Sequence, residues 1–137
     1  ERATDLIVDV QGWFGATGSF IKPVAGNRVV DTRNVNGTPS RLAAGQVIRI
    51  ESPSVACCGV KGLVVNLTSA DSTPGYLTAY PCDAPRPTAS NLNTQAAYAV
   101  ANFAIVPTAA DGSICLYSER DTNLIVDITG YVVESGP

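Results

Sequence analysis

The sequence predicts an all-β fold, a β-sandwich of about ten short strands with jelly-roll or Greek-key connections. Three observations carry this expectation. Apolar and polar residues alternate in short runs rich in Val, Ile, Leu, Thr and Tyr, the period of a strand with one buried face. Gly, Pro, Asn and Asp clusters interrupt these runs, and no helix of ordinary length is visible. The long alternations at Val60 to Thr68 and Ala97 to Val106 suit two packed sheets. A β-trefoil is the alternative, because Gly37, Gly75 and Gly112 stand 38 and 37 positions apart and Tyr80 and Tyr117 keep the second interval.

The chain opens on a strand that it repeats at its close. Thr4-Asp5-Leu6-Ile7-Val8-Asp9-Val10-Gln11-Gly12-Trp13 matches Thr122-Asn123-Leu124-Ile125-Val126-Asp127-Ile128-Thr129-Gly130-Tyr131 at a constant offset of 118, and Glu1-Arg2 matches Glu119-Arg120. Leu124, Val126 and Ile128 share one face, and Ile125, Asp127 and Thr129 share the other. Such an offset in 137 residues means one module plus the closing strand of another. Residues 1–14 are therefore expected to be an inter-module or inter-subunit strand equivalent to the closing one, with residues 15–137 forming a single β module. Leu6, Ile7, Val8, Asp9 and Val10 are its central residues. Two copies cannot fill one slot, so the first serves another copy by strand addition. Its rivals are the last strand of an adjoining module in one polypeptide, and a pseudo-equivalent place in the same sheet set. Asp9 and Asp127 lie in apolar runs and each needs a fixed partner. Backbone N–H groups or an Arg are the first choice, and a metal or ligand the second.

Gly15 to Ser19 reads as a flexible connection, and Phe20-Ile21-Lys22-Pro23-Val24 begins new structure. Ala25-Gly26-Asn27 is expected to turn the chain into the strand Arg28-Val29-Val30-Asp31-Thr32-Arg33. There Arg28, Asp31 and Arg33 form a structural ion pair set, the alternative being that Asp31, Thr32 and Arg33 line a sugar groove. Asn34 to Ser40 is turn chemistry. Gln46 to Glu51 alternates as a half-exposed strand, Ser52 to Gly59 is a loop holding Cys57 and Cys58, and Val60 to Thr68 is the longest strand signal, with Leu63, Val65 and Leu67 on one face. Ser72 to Gly75 turns into Tyr76 to Pro81, and the prolines of Pro81 to Pro87 stiffen the next loop. Thr88 to Asn93 and Ala97 to Val106 follow as strands, Asp111-Gly112 as a hairpin turn, then Ser113 to Ser118 and the closing strand. Asn36-Gly37-Thr38 and Asn66-Leu67-Thr68 fit the glycosylation sequon.

Composition narrows the function classes. With 45% apolar and 15% charged residues the chain can fill one core, and no run approaches the roughly 20 apolar residues of a membrane-spanning helix. The net charge of −3, with basic residues scattered singly, offers no stripe for a phosphate backbone, so nucleic acid is not an expected partner. Histidine is absent, which removes His-based triads, His-ligated zinc and imidazole acid–base catalysis. No phosphate loop, nucleophile elbow or C-x-x-C replaces them, and no carboxylate pair stands out for a glycosidase. No cofactor or metal is expected. Met is absent and no signal-peptide pattern is seen, so the first residue reads as a processed or excised boundary. Four Cys in a Lys-poor chain point to an oxidising compartment. Of the three pairings, Cys82–Cys115 is favoured because Cys82 ends one predicted strand and Cys115 lies in another. Cys57 and Cys58 are left to a vicinal bond, to another chain, or to remain thiols.

Arg28 to Arg33 resembles the "RVLDTR" repeat of secreted actinobacterial proteins, a module found in tandem or attached to peptidases, amidases and glycosidases. The similarity extends over Leu6 to Gly12, Arg41 to Gln46, Gly75 to Cys82, Arg86 to Asn93, Val100-Ala101-Asn102 and Leu124 to Tyr131. In such repeats the Tyr-Pro-Cys element and the later strand Cys recur together, which supports Cys82–Cys115, whereas Cys57-Cys58 departs from the pattern. The resemblance implies an extracellular accessory module and transfers no activity or binding residues. The function expected is a non-catalytic extracellular or cell-surface structural or adhesion module, a repeat unit in an array or filament whose partners are other copies. The alternative is a carbohydrate-binding module of a secreted hydrolase, facing cell-wall or extracellular polysaccharide, in which Trp13, Tyr76, Tyr80, Tyr98, Tyr117 or Tyr131 stacks on sugar rings.

Overall fold

A computed structural model describes residues 6, 8, 10, 12, 13, 15–33, 40–52 and 59–134. Eight strands are present among them: β1 (Phe20–Asp31), β2 (Val47–Ile50), β3 (Val60–Ala70), β4 (Gly75–Pro81), β5 (Leu92–Thr94), β6 (Val100–Pro107), β7 (Ile114–Ser118) and β8 (Asn123–Val133). They form two antiparallel four-stranded sheets, ordered β1-β8-β3-β6 and β2-β7-β4-β5. Every outer strand pairs with its mirror in chain order: β1 with β8, β2 with β7, β3 with β6 and β4 with β5. That is a long hairpin rolled up on itself, the jelly-roll form of the sandwich, and it replaces the trefoil alternative.

The core lies between the sheets and follows the two-residue period of the sequence. Leu63, Val65 and Leu67 of β3 and Leu124, Val126 and Ile128 of β8 are each 0% exposed, and Leu77, Ile114 and Leu116 face them from the other sheet, also at 0%. Burying each such side chain contributes about 1.5–3 kcal/mol. Leu42 closes one end through an isolated bridge to Thr122.

Four local expectations are corrected by tertiary pairing. Ala25-Gly26-Asn27 lies inside β1 and is no turn between elements: the register slips between Pro23 and Asn27, so the segment is a bulge in one edge strand. An edge tolerates Pro23, which has no N–H to offer. Opposite the bulge, a Cβ on Gly130 would stand 3.0 Å from the Lys22 carbonyl oxygen and 3.3 Å from Val64 Cγ2, so glycine is needed for close approach. Thr88 to Asn93 contributes only its end to β5, because side chains take the place of a ladder: Asn91 Oδ1 accepts the Ala79 N–H (2.7 Å) and Thr78 Oγ1 donates to the Ala89 carbonyl (3.1 Å). Ala97 has φ +62°, which breaks the run before β6 starts at Val100. Asp111-Gly112 does turn the chain, with Gly112 at φ +83°, yet it carries it from one sheet to the other and makes no hairpin.

Candidate functional site

Three features were open to a functional reading: the charged end of β1, the disulfide-tied loop with its tyrosines, and the side of the sandwich bordered by β6. On β1, Asp31 is buried and receives Arg33 twice, from Nε to Oδ1 (2.9 Å) and from Nη2 to Oδ2 (2.7 Å), with a further bond from the Arg33 N–H (3.2 Å). Arg28 Nη1 reaches Oδ2 at 3.3 Å. The hydrogen bonds from the Arg33 side chain hold the Asp31 carboxyl down to about 2. Arg28 also forks onto Asp127 of β8, Nε to Oδ1 at 2.9 Å and Nη2 to Oδ2 at 3.2 Å, and this raises its own pKa further. The carboxylate expected to need a partner in the closing strand is thus paired with an Arg; Asp9 lies outside the described residues.

The set continues as a clamp. Thr32 donates its N–H to the Leu124 carbonyl (2.9 Å) and its Oγ1 accepts the Leu124 N–H (2.7 Å). Asn123 Nδ2 donates to Asp71 Oδ2 (3.1 Å), and Arg41 joins Asp121 at 2.9 Å. The hydrogen bonds of Asp31 and Thr32 are used within the protein, so the geometry is that of a strand clamp and not of an open sugar groove. A general acid also needs a raised carboxyl pKa. Asp31 shifts the other way, as does Asp111, lowered to about 2 by the Ser113 hydroxyl, then by Arg49.

The second feature is built on the Cys82–Cys115 disulfide, which joins residues 33 apart. Cys115 pairs in register with Tyr80, so the bond ties the start of the loop after β4 to the neighbouring β7. Within that loop the Arg86 guanidinium lies 3.7 Å from the centre of the Tyr117 ring, and Tyr76 packs against the same ring at 6.0 Å and 45°. Arg86 occupies a Tyr117 face that a sugar would use. Tyr131 is in the core, Tyr76 and Tyr80 are half-buried, and only Trp13 and Tyr98 of the six candidates stand well out in solvent. Cys57, Cys58 and the sequon at Asn36 lie outside the described residues, and Asn66 lies mid-strand in β3, paired on both sides.

The β6 side is the feature that sequence reasoning missed. The sheets end laterally at β1, β6, β2 and β5. β1 is blunted by Lys22, Pro23, Arg28 and its bulge, β2 is four residues long and carries Arg49, and β5 has three residues. Such edges resist further pairing. β6 has eight residues and no charge. Ala104 and Val106 face the core, leaving Ala101, Phe103, Ile105 and Pro107 on the other face, with Phe103 58% exposed. The Thr108 N–H donates to the Lys61 carbonyl (3.1 Å), and in that antiparallel register the even residues of β6 bond β3. The N–H and C=O of Ala101, Phe103 and Ile105 therefore point to the open side. A groove runs alongside, apolar at one end (Ala79, Pro87, Ala89, Ile105, Pro107) and lined by Asn91, Asn93 and Asn102 at the other. Val10 borders its apolar end. A sequence signal did exist: Val100 to Pro107 is long, apolar and uncharged.

In the opening segment, Leu6, Val8 and Val10 are 83%, 73% and 82% exposed, whereas their counterparts Leu124, Val126 and Ile128 are fully buried. Ile7 lies outside the described residues. Among the described residues no group of three or more His, Cys, Asp or Glu is placed to hold a metal, and no helix is long and apolar enough to cross a membrane. In comparisons with known proteins, no family model and no curated protein matches this chain.

Proposed function

We propose that the chain is a non-catalytic structural module of the cell surface or extracellular space, which associates with further copies of itself through its duplicated strand. One observation carries the reading: the row Leu124, Val126 and Ile128, fully buried in β8, has as its counterpart Leu6, Val8 and Val10 on a segment where the three side chains are largely exposed. Apolar rows of this kind are stable only against another surface. The disulfide agrees with an oxidising compartment. The resemblance to the secreted "RVLDTR" modules points the same way, and the clamp around Asp31 reads as support for the sheet that such a module presents.

Sedimentation velocity of the chain over a range of concentrations tests this. Species heavier than the monomer are expected to grow with concentration and to disappear in a Leu6→Asp, Val8→Asp double variant of unchanged fold. A strictly monomeric chain would remove the proposal. Carbohydrate binding is the second reading, favoured by the exposure of Tyr98 shortly before β6 and of Trp13, and by the amide side chains of the nearby groove. On a glycan array it predicts saturable binding that is lost on Tyr98→Ala or Trp13→Ala.

A further inference from the structure

The outer edge of β6 and the opening segment are complementary, and among the described residues neither the odd-numbered backbone groups of β6 nor the side chains of Leu6, Val8 and Val10 have a partner that covers them. β6 offers the N–H and C=O groups of Ala101, Phe103 and Ile105 in a row, beside an uncharged groove that is apolar at one end. The opening strand offers Leu6, Val8 and Val10 on one face, with the sequence of a strand that β3 and β1 already accept as β8. The β8 slot itself is filled, and of the four lateral edges β6 alone, among the described residues, is both long and free of charge. Val10 of the same chain lies beside Ile105 and Pro107 but stays 82% exposed, so the groove admits this side chain without burying it.

We infer that the β6 edge is the acceptor for the opening strand of a second copy, which docks along it as a fifth strand of the β1-β8-β3-β6 sheet. This rests on the self-association proposed above and assigns its acceptor surface. Backbone pairing supplies the binding, and Leu6, Val8 and Val10 set the register. Donor and acceptor are different surfaces, so the contact is head-to-tail and leaves the growing assembly with an unused edge at one end and an unused strand at the other. Open chains of copies follow.

Complementation of full-length variants tests the assignment. Val8→Asp spoils the donor and keeps the acceptor, while Phe103→Lys does the reverse at a side chain already 58% exposed. Ala101→Pro, near the start of β6, removes an open-side N–H without touching the ladder to β3 and serves as a second acceptor variant. Circular dichroism and thermal melting establish that each is folded, and non-reducing gels separate this association from inter-chain disulfides through Cys57 or Cys58. In sedimentation velocity the unsubstituted chain is expected to grow beyond a dimer, each variant alone to lose all species above the monomer, and a mixture of Val8→Asp with Phe103→Lys to regain a species of twice the chain mass and no larger. Growth that persists in folded Phe103→Lys and Ala101→Pro chains would overturn the β6 assignment while leaving self-association standing. A monomeric unsubstituted chain would overturn both, and one whose Trp13 emission also changes on Phe103→Lys would show the strand docking on its own β6.

Discussion

Asp31 is held ionised by hydrogen bonds from Arg33, with Arg28 adding its charge, and its pKa falls from the ordinary 3.8 to about 2. A carboxyl whose pKa is lower in the folded chain stabilises the fold fully above its unfolded pKa and loses that contribution as pH falls through the folded one. Asp31→Asn is therefore expected to lower the melting temperature by a constant amount from pH 7 to about pH 5, with the gap closing between roughly pH 4 and pH 2. A gap that stayed open at pH 2 would mean that the side chain acts by packing. Gly130→Ala is expected to cost about 1–3 kcal/mol by crowding the Lys22 carbonyl. Gly12→Ala, with nothing within 4 Å, should leave the unfolding midpoint of the monomer unchanged. Arg28, Asp31 and Arg33 were legible as a group because they lie within six residues. The bond from Arg28 to Asp127 spans 99 positions and was not, since only the pairing of β1 with β8 brings them together.

The disulfide acts between elements, locking the loop after β4 onto β7 where sheet pairing has already placed Tyr80 beside Cys115. Replacing both Cys82 and Cys115 by Ser should lower stability by roughly 3–4 kcal/mol, the loop-entropy value for a bridge of this span, read as a fall in the denaturant midpoint. Arg86 would lose its fixed place over Tyr117 at the same time, and near-ultraviolet circular dichroism would report it. Long apolar strands such as Val60 to Ala70 and Asn123 to Val133 were readable because Leu63, Val65 and Leu67 in one and Leu124, Val126 and Ile128 in the other recur at every second position and belong to one core. Elements decided by partners were not. Ala25-Gly26-Asn27 carries turn residues yet bulges within β1 because β8 pairs on both sides of it, and Thr88 to Ala89 has strand composition but is tied to β4 by a side-chain bond.

At the scale of the molecule, the rolled pairing of first strand with last fills the β8 slot from both sides, with β1 and β3 holding the closing strand between them. The alternation announced a sandwich, and two antiparallel four-stranded sheets form it, whereas the place of β6 at an edge emerged from the strand order. Leu116→Ala, in the sheet opposite, should destabilise the fold by about 2–5 kcal/mol without changing the mass distribution of the folded chain, which separates core from assembly. The central claim is that the opening strand becomes buried when copies associate, and the chain carries its own probe for it, since Trp13 is the single tryptophan and stands 89% exposed beside that strand. Trp13 emission, recorded against concentration alongside sedimentation, is predicted to shift to shorter wavelength in step with the growth of heavier species. Emission that stays that of exposed tryptophan while mass increases would contradict the account.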